Sequence, residues 1–284
     1  MPSNIFDVCP AMLGRLGNEK YTQYRRRSQH AAGFDQVVLP KVKFLPIYIL
    51  SLKNAQRFRP LTEALEANGL PYEIVWGIDG RSSLPKVYEQ EIDRIGAKAR
   101  MGRPMSDGEF ACALSHRLIY KRISERNAPA GIVLEDDAEL SEAFFSLGQA
   151  SLVPQCDLLL FDHKNTYVKR YDSLKLKDGV AAHRVVLPPF LATGYMVSRE
   201  LAVHLAFRDG LITQPSDWPD VITEFRSYAC SPRVIAQRDR AMNSSGLEIG
   251  RQEKGYRRRR SLRRIFFKAY WSRWLKKRLS YKLA

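Results

Sequence analysis

The chain is short of several things, and each shortage closes off a class of protein. Nowhere in its 284 residues is there a run of the about 18 uninterrupted apolar side chains that a bilayer-spanning helix needs. Only four cysteines occur, Cys9, Cys112, Cys156 and Cys230, and they are widely spaced and unpatterned. That argues against a disulfide framework and suits reduced thiols in a cytosol. No CxxC or HxxxH pair is present, so no zinc-binding spacing stands out. Met1 to Cys9 lacks both the basic start and the apolar stretch of a secretory leader. Acids are scarce at one end. From Arg251 to Ala284, 14 Lys or Arg face the single acid Glu253, a net of +13 that leaves only +3 of the chain's +16 to the preceding 250 residues.

What is there is enough for a core. A hydrophobic content of 45% can fill one large α/β body. The most informative stretch is Gly131-Ile132-Val133-Leu134-Glu135-Asp136-Asp137, an apolar run that ends in three carboxylates. A buried strand of this kind would place clustered negative charge at its carboxyl end, where open α/β sheets keep their ligands. Hard divalent cations, Mn2+ or Mg2+, take carboxylate oxygens and leave positions free for phosphates, so the triplet reads as a metal-diphosphate site. The plainer alternative is a strand-to-loop turn whose acids cap the helix beginning near Ser141.

Upstream, Pro46–Leu52 is an apolar, β-branched run that empties into Lys53, Arg57 and Arg59, a first strand followed by a basic turn and helix. Gly69-Leu70-Pro71 breaks that helix, and Tyr72–Trp76 reads as a second strand ending in Gly77-Ile78-Asp79-Gly80-Arg81. Ser106-Asp107-Gly108-Glu109 has the form of a capping box. It opens a helix through Phe110, Leu114, Leu118 and Ile123 that stops near Asn127-Ala128-Pro129. Later, Thr193–Val197 reads as a strand entered through a glycine, with Ser198 capping the helix Arg199 to Phe207.

In this order, IYILSL, GLPYEIVWGIDGR, SDGEFACALSH, IVLEDD, ATGYMVSRELA and PSDW closely resemble glycosyltransferase family 25, the bacterial lipooligosaccharide galactosyltransferase type, over roughly Phe44 to Ser245. The resemblance implies a GT-A-like, Rossmann-type nucleotide-sugar-binding fold, a UDP-sugar donor, a divalent metal, and inversion at the sugar carbon. On the family's pattern Asp137 matches the last acid of the DxD-like block and is the expected direct metal ligand. Glu135 or Asp136 would then bind through water or contact the ribose.

Charge developing on the departing diphosphate explains the need for such a cation. Inverting transfer also needs a base for the acceptor hydroxyl. Asp217 in Gln214–Asp220 matches a late family Asp and is the expected catalytic residue, with Asp220 in reserve and Trp218 as an aromatic platform for a sugar. Ser216-Asp217 could equally cap a short helix. Arg57, Asp79, Gly80 and Arg81 fall at strand ends where uracil, ribose and phosphate contacts are expected, although a solvated face is the competing reading for the arginines. The family places Ser115 and His116 near the donor or acceptor pocket; a hydrogen-bonded, partly buried histidine is the alternative. Cys112 and His116, four apart, would share a helix face, but two ligands are too few for zinc. Thr193 and Gly194 would line the sugar side of the donor pocket, unless the glycine marks only a bulge.

The organisation expected is an extension of unclear role over 1–43, the transferase domain over 44–245, and a basic, helical tail over 246–284. In the tail Phe267, Tyr270, Trp271 and Trp274 would form a stripe flanked by Arg264, Lys268, Arg273, Lys277 and Arg278. Such a helix suits an anionic membrane surface. Binding of single-stranded nucleic acid by the tail, with the acidic strand end purely structural, is the competing function. The expectation is a peripheral enzyme at the inner face of the cytoplasmic membrane, moving galactose from UDP-galactose onto a lipid-linked core oligosaccharide. A collagen-type galactosyltransferase is the third reading, and the missing leader argues against it.

Overall fold

The computed structural model describes residues 44–53, 55–147, 153, 155–177, 179–207, 210–216, 218–238 and 268–283. The extension over 1–43, the link over 239–267, Phe267 and Asp217 lie outside them.

Local sequence builds the first half as expected. The apolar run at 46–52 is strand β1 (Ile47–Ser51), buried along its whole length. Pro60 in the first turn of helix α1 (Arg59–Ala67) suits a position whose N–H has no partner in the helix. The helix ends at Asn68, and Gly69 follows with φ +63, a left-handed conformation that glycine adopts without strain. Strand β2 (Tyr72–Trp76) pairs parallel with β1, and Gly77 N donates to Ser51 O at 2.8 Å. Helix α2 (Arg94–Met101) is capped by Asp93, whose carboxylate accepts from Gly96 N at 2.8 Å.

Helix α3 (Asp107–Glu125) opens with the capping box that its sequence announced. Ser106 Oγ accepts from Glu109 N at 3.2 Å, and Glu109 Oε2 accepts from Ser106 N at 2.9 Å. The box is reinforced from outside, because Arg103 grips the buried Glu109 carboxylate with both Nη atoms. Strand β3 (Ala130–Glu135) follows and pairs parallel with the other side of β1.

The order β2-β1-β3 means that the chain leaves β1 in one direction, then returns to its opposite flank. The two connecting helices cover opposite faces. Leu61 and Leu65 of α1 pack with Ile47, Ile49, Ile132 and Leu134, whereas Ile119, Tyr120 and Ile123 of α3 pack with Tyr48, Leu50 and Val133. A reversal of this kind opens a crevice between the carboxyl ends of β1 and β3, the usual ligand position in open α/β sheets.

Strands β4 (Ala138–Leu140) and β10 (Ile235–Gln237) form a separate antiparallel pair beside that crevice. Helix α4 (Glu142–Ser146) follows Ser141, whose hydroxyl donates to Val234 O and does not cap the helix. The main sheet continues through β5 (Leu158–Leu160), β6 (Tyr167–Lys175), β7 (Ala181–Leu187), β8 (Gly194–Ser198), β9 (Ser227–Ser231) and β11 (Tyr281–Lys282), in the order β11-β6-β7-β9-β5-β8-β3-β1-β2. Strands β1, β2, β3, β5, β6 and β9 run one way and β7, β8 and β11 the other, so the architecture is mixed α/β. Ser198 Oγ accepts from Leu201 N at 3.2 Å at the start of helix α5 (Arg199–Phe207), which lies beside α3 on the same face of the sheet.

The end of the basic tail is a helix with a strand behind it. Helix α6 (Lys268–Arg278) leads into β11 (Tyr281–Lys282), which adds antiparallel to β6 as the outermost strand. Leu283 N donates to Thr166 O at 2.9 Å, and Tyr281 Oη meets His183 Nδ1 at 2.7 Å. Tyr270, Trp271 and Trp274 are exposed, with the Arg278 guanidinium 5.4 Å from the Trp274 ring centre. No helix among the described residues is long and apolar enough to cross a membrane.

Candidate active site

The acidic triplet stands at the mouth of the crevice, and the alternation of side chains along β3 divides it. Gly131 and Val133 face α3, so Glu135, two residues on, points the same way, and its Oε1 lies 3.2 Å from His116 Nε2. Past the end of the strand, Asp136 and Asp137 turn toward the loop after β1. Ser51 Oγ donates to Asp136 Oδ2 at 2.9 Å, bridging β1 to the β3 end. Asp137 Oδ2 accepts from Arg57 Nη2 at 2.7 Å and from Gln237 Nε2 at 2.8 Å.

The three acids therefore do not share one environment. Burial pushes the Asp136 carboxyl above its ordinary value, partly offset by the Ser51 hydrogen bond and by Arg57. Burial, reinforced by the Glu135 charge, pushes Asp137 up to about 6. Asp137 is only 8% exposed, and its Oδ1 has no hydrogen-bond partner among the described residues. Crowded, desolvated carboxylates with a spare oxygen are what a hard divalent cation satisfies, so the residues present fit such an ion. Arg57 serves as their counter-charge here. Its side chain is 49% exposed, leaving it access to an anionic ligand.

His116 is fully buried, between Glu135 and two tyrosines. Tyr195 Oη donates to Tyr120 Oη at 3.2 Å and shares a hydrogen bond of 2.9 Å with His116 Nδ1. Burial works against the imidazolium, but the Cys112 sulfur and the Glu135 carboxylate outweigh it and carry His116 up to about 10. Ser115 is equally buried. Its hydroxyl accepts from Ile78 N at 2.8 Å and donates to Ala111 O at 2.7 Å, holding the 77–80 loop against α3.

In that loop, Asp79 and Arg81 form an exposed ion pair at 2.6 Å, and the Arg81 hydrogen bonds hold the Asp79 carboxyl below its usual value. Gly80 sits so close to α3 that a Cβ there would lie 2.5 Å from Asp107 O and 2.7 Å from Ala111 Cβ. Thr193 and Gly194 lie at the same edge of the sheet. Thr193 O accepts from Glu135 N at 2.8 Å, while its buried Oγ1 has no partner among the described residues. A Cβ at Gly194 would meet Ile235 Cδ1 at 2.5 Å, so the glycine permits close packing of β10 rather than forming a bulge.

The neighbours of Asp217 are placed. Ser216 Oγ lies 3.3 Å from Cys112 Sγ, and Trp218 packs edge-on against Tyr195 with ring centres 4.7 Å apart. Trp218 is 5% exposed and donates its indole N–H to Leu191 O at 2.9 Å. The open aromatic platform expected of it is therefore corrected to a core position, because its whole face is taken up by packing.

Two residues at this edge escaped the sequence reading. Gln237 reaches Asp137 from β10 across a hundred residues of chain, with no local signal. Asp162 follows β5, is 1% exposed, pairs with Arg233 Nη1 at 3.2 Å, and has its Oδ2 unpartnered among the described residues. Its signal was available: Leu158–Asp162 (LLLFD) is another apolar run ending in an acid, as in Gly131–Glu135.

Comparison with known proteins agrees with this arrangement. The family model for glycosyltransferase family 25 (LPS biosynthesis protein) matches residues 44–206. Procollagen galactosyltransferase 1-B of Xenopus laevis is 28% identical over 138 residues, covering 46% of this chain and 22% of that one. A glycosyltransferase 25 family member of Anopheles gambiae is 31% identical over 134 residues, covering 44% and 22%. The chain thus spans about a fifth of the length of these relatives. Among solved structures, the crystal structure of A197 from STIV superposes with a TM-score of 0.37 at 13% identity, over 71% of this chain and 97% of that one, a likeness too loose to assign anything. With the family model spanning β1 through α5 and the acidic triplet at the sheet's switch point, the chain belongs to glycosyltransferase family 25.

Proposed function

We propose that this chain is an inverting, divalent-cation-dependent glycosyltransferase of GT-A-like, Rossmann-type fold, moving galactose from UDP-galactose to the core oligosaccharide of a lipid-linked acceptor. One observation carries the reading: half-buried Asp136 and buried Asp137 lie at the β1/β3 switch point, with Arg57 against them and one Asp137 oxygen without a partner among the described residues. The family's description as an LPS biosynthesis protein supports the acceptor class, and the names of the galactosyltransferase relatives support the sugar.

A cation bound by Asp136 and Asp137, as Mn2+ or Mg2+, would neutralise the charge appearing on the β-phosphate as the sugar departs. Arg57, half exposed beside these carboxylates, would pair with phosphate oxygens of the donor. Glu135 stays on the other side of the strand, held by His116. Asp217 takes the proton of the acceptor hydroxyl, whose oxygen attacks the anomeric carbon from the face opposite the leaving diphosphate. Asp79, Gly80 and Arg81, with Thr193 and Gly194, border the crevice where uridine and sugar would lie.

The tail gives the acceptor reading its geometry. Exposed Tyr270, Trp271, Trp274 and Leu275 stand among Arg273, Lys276, Lys277 and Arg278 on a helix joined to the sheet through β11, with exposed Leu279 just past its end. We place this helix on the anionic inner leaflet of the cytoplasmic membrane, each nearby cation contributing about 1 kcal/mol.

Turnover of UDP-galactose, with and without Mn2+, tests the activity. Metal-stimulated release of UDP that Asp137→Ala abolishes is the expected result, and Asp217→Asn should lower kcat more than donor affinity. Metal-independent turnover, or full activity in Asp137→Ala, would overturn the reading.

A further inference from the structure

We propose that Cys112, His116 and Glu135 form a three-ligand site for a borderline-soft divalent cation, zinc above all, separate from the hard-cation position at Asp136 and Asp137. The Cys112 and His116 pair was two ligands short of a tetrahedron in the sequence; the fold brings Glu135 to it from β3. One ligand atom from each of the three residues lies within 4.8 Å of the others. The 3.2 Å between His116 Nε2 and Glu135 Oε1 is close to the separation of two ligands on one ion, given metal-ligand bonds of about 2.0 to 2.2 Å.

The hydrogen-bond chain behind the histidine fixes which nitrogen is available. The Tyr195 oxygen lies 2.9 Å from His116 Nδ1, so Nε2 is the atom presented to Glu135. A bare Nε2 lone pair facing a carboxylate is repulsive, so something positive belongs between them. In the metal-free chain that is a proton on Nε2. A divalent ion would displace that proton and the thiol proton of Cys112, joining N, S and O ligands around itself. The Tyr195 oxygen on Nδ1 supplies the outer-shell contact that metal-bound histidines characteristically have.

The fourth position has somewhere to be. Ser216 Oγ lies 3.3 Å from Cys112 Sγ, and a cavity of about 70 Å³ lined by His116, Tyr120, Ser216 and Pro219 adjoins the cluster. That is space for water as the remaining ligand. Thiolate and imidazole favour zinc over the oxygen-seeking Mn2+ and Mg2+, so the two positions are separated by chemistry as well as by the two sides of β3. The inference stands apart from sugar transfer: a chain with no transferase activity would bind the ion all the same.

The test uses metal alone on the full chain, stripped with chelator. Titration with Co2+ should develop a near-ultraviolet thiolate-to-cobalt charge-transfer band and the visible bands of four-coordinate cobalt, both bleached by Zn2+. Cys112→Ser should remove the charge-transfer band, His116→Gln should weaken zinc binding at least about tenfold, and Asp137→Asn should leave both signals unchanged. In the unsubstituted chain, Zn2+ should protect Cys112 from alkylation as mapped by mass spectrometry, a result that needs no variant to fold. Absence of the charge-transfer band, its persistence in Cys112→Ser, its loss in Asp137→Asn, or no protection of Cys112 would each overturn the proposal.

Discussion

Replacing Asp137 with Asn should stabilise the metal-free protein, although it removes a hydrogen-bonded, ion-paired carboxylate. Burial and the Glu135 charge raise this carboxyl from 3.8 to about 6, despite Arg57 and Gln237. A carboxyl with a raised folded-state value binds its proton more firmly folded than unfolded, so stability is lost as pH rises from 3.8 through about 6 and stays lost above. A displacement of this size corresponds to about 3 kcal/mol at neutral pH as an upper figure. Asn keeps the shape and cannot ionise. Urea denaturation in chelator should therefore find Asp137→Asn more stable by on the order of 1 to 3 kcal/mol near neutrality, a gain that shrinks to nothing as pH falls toward 3.8. Mn2+ at a thousand times its dissociation constant should reverse the order, since it adds about 4.1 kcal/mol to the chain that can bind it. If the Asn variant is the less stable one in chelator, or the difference ignores pH, the crowded-carboxylate argument is wrong.

Gly80→Ala should cost about 1 to 3 kcal/mol in the same assay, because the new methyl would meet the backbone of α3 at Asp107, which cannot swing aside. Trp218→Ala should lower stability by about 3 to 5 kcal/mol, as a core aromatic does; a loss of substrate affinity at unchanged stability would restore the platform reading. Trp271→Ser with Trp274→Ser, both exposed, should leave thermal unfolding unchanged yet weaken sedimentation with phosphatidylserine vesicles by at least about tenfold, or ~1.4 kcal/mol. Unchanged vesicle binding, or a loss confined to single-stranded nucleic acid, would contradict the membrane placement. Substitution is a cleaner probe than truncation at Gly250, since removing the tail would also strip β11 from the sheet edge.

Features written in adjacent residues are legible in the sequence. The Ser106/Glu109 box, the glycine stop after α1, and the apolar runs of β1, β2 and β3 are each specified within a few residues. The crevice was legible as a strand end but not as a switch point, because that depends on which side of β1 receives β3. The division of the triplet depends on the pleat. An EDD string looks like one cluster on paper, yet Glu135 faces His116 while Asp136 and Asp137 face Ser51 and Arg57. Contacts between distant segments left the least trace. Gln237 on Asp137, Arg233 on Asp162, and β11 on β6 are products of the finished sheet, and no spacing in the sequence encodes them. Trp218 misled for a related reason: an aromatic beside a candidate base suits a sugar or a core equally, and packing decided for the core.

Asp136 and Asp137 should hold a divalent ion together with a nucleoside diphosphate. Electron paramagnetic resonance of free Mn2+, titrated with the chain in the presence of UDP, measures this directly. The signal should fall with the unsubstituted chain and remain with Asp136→Asn, Asp137→Asn combined. Equal uptake by both chains, or none by either, would contradict it.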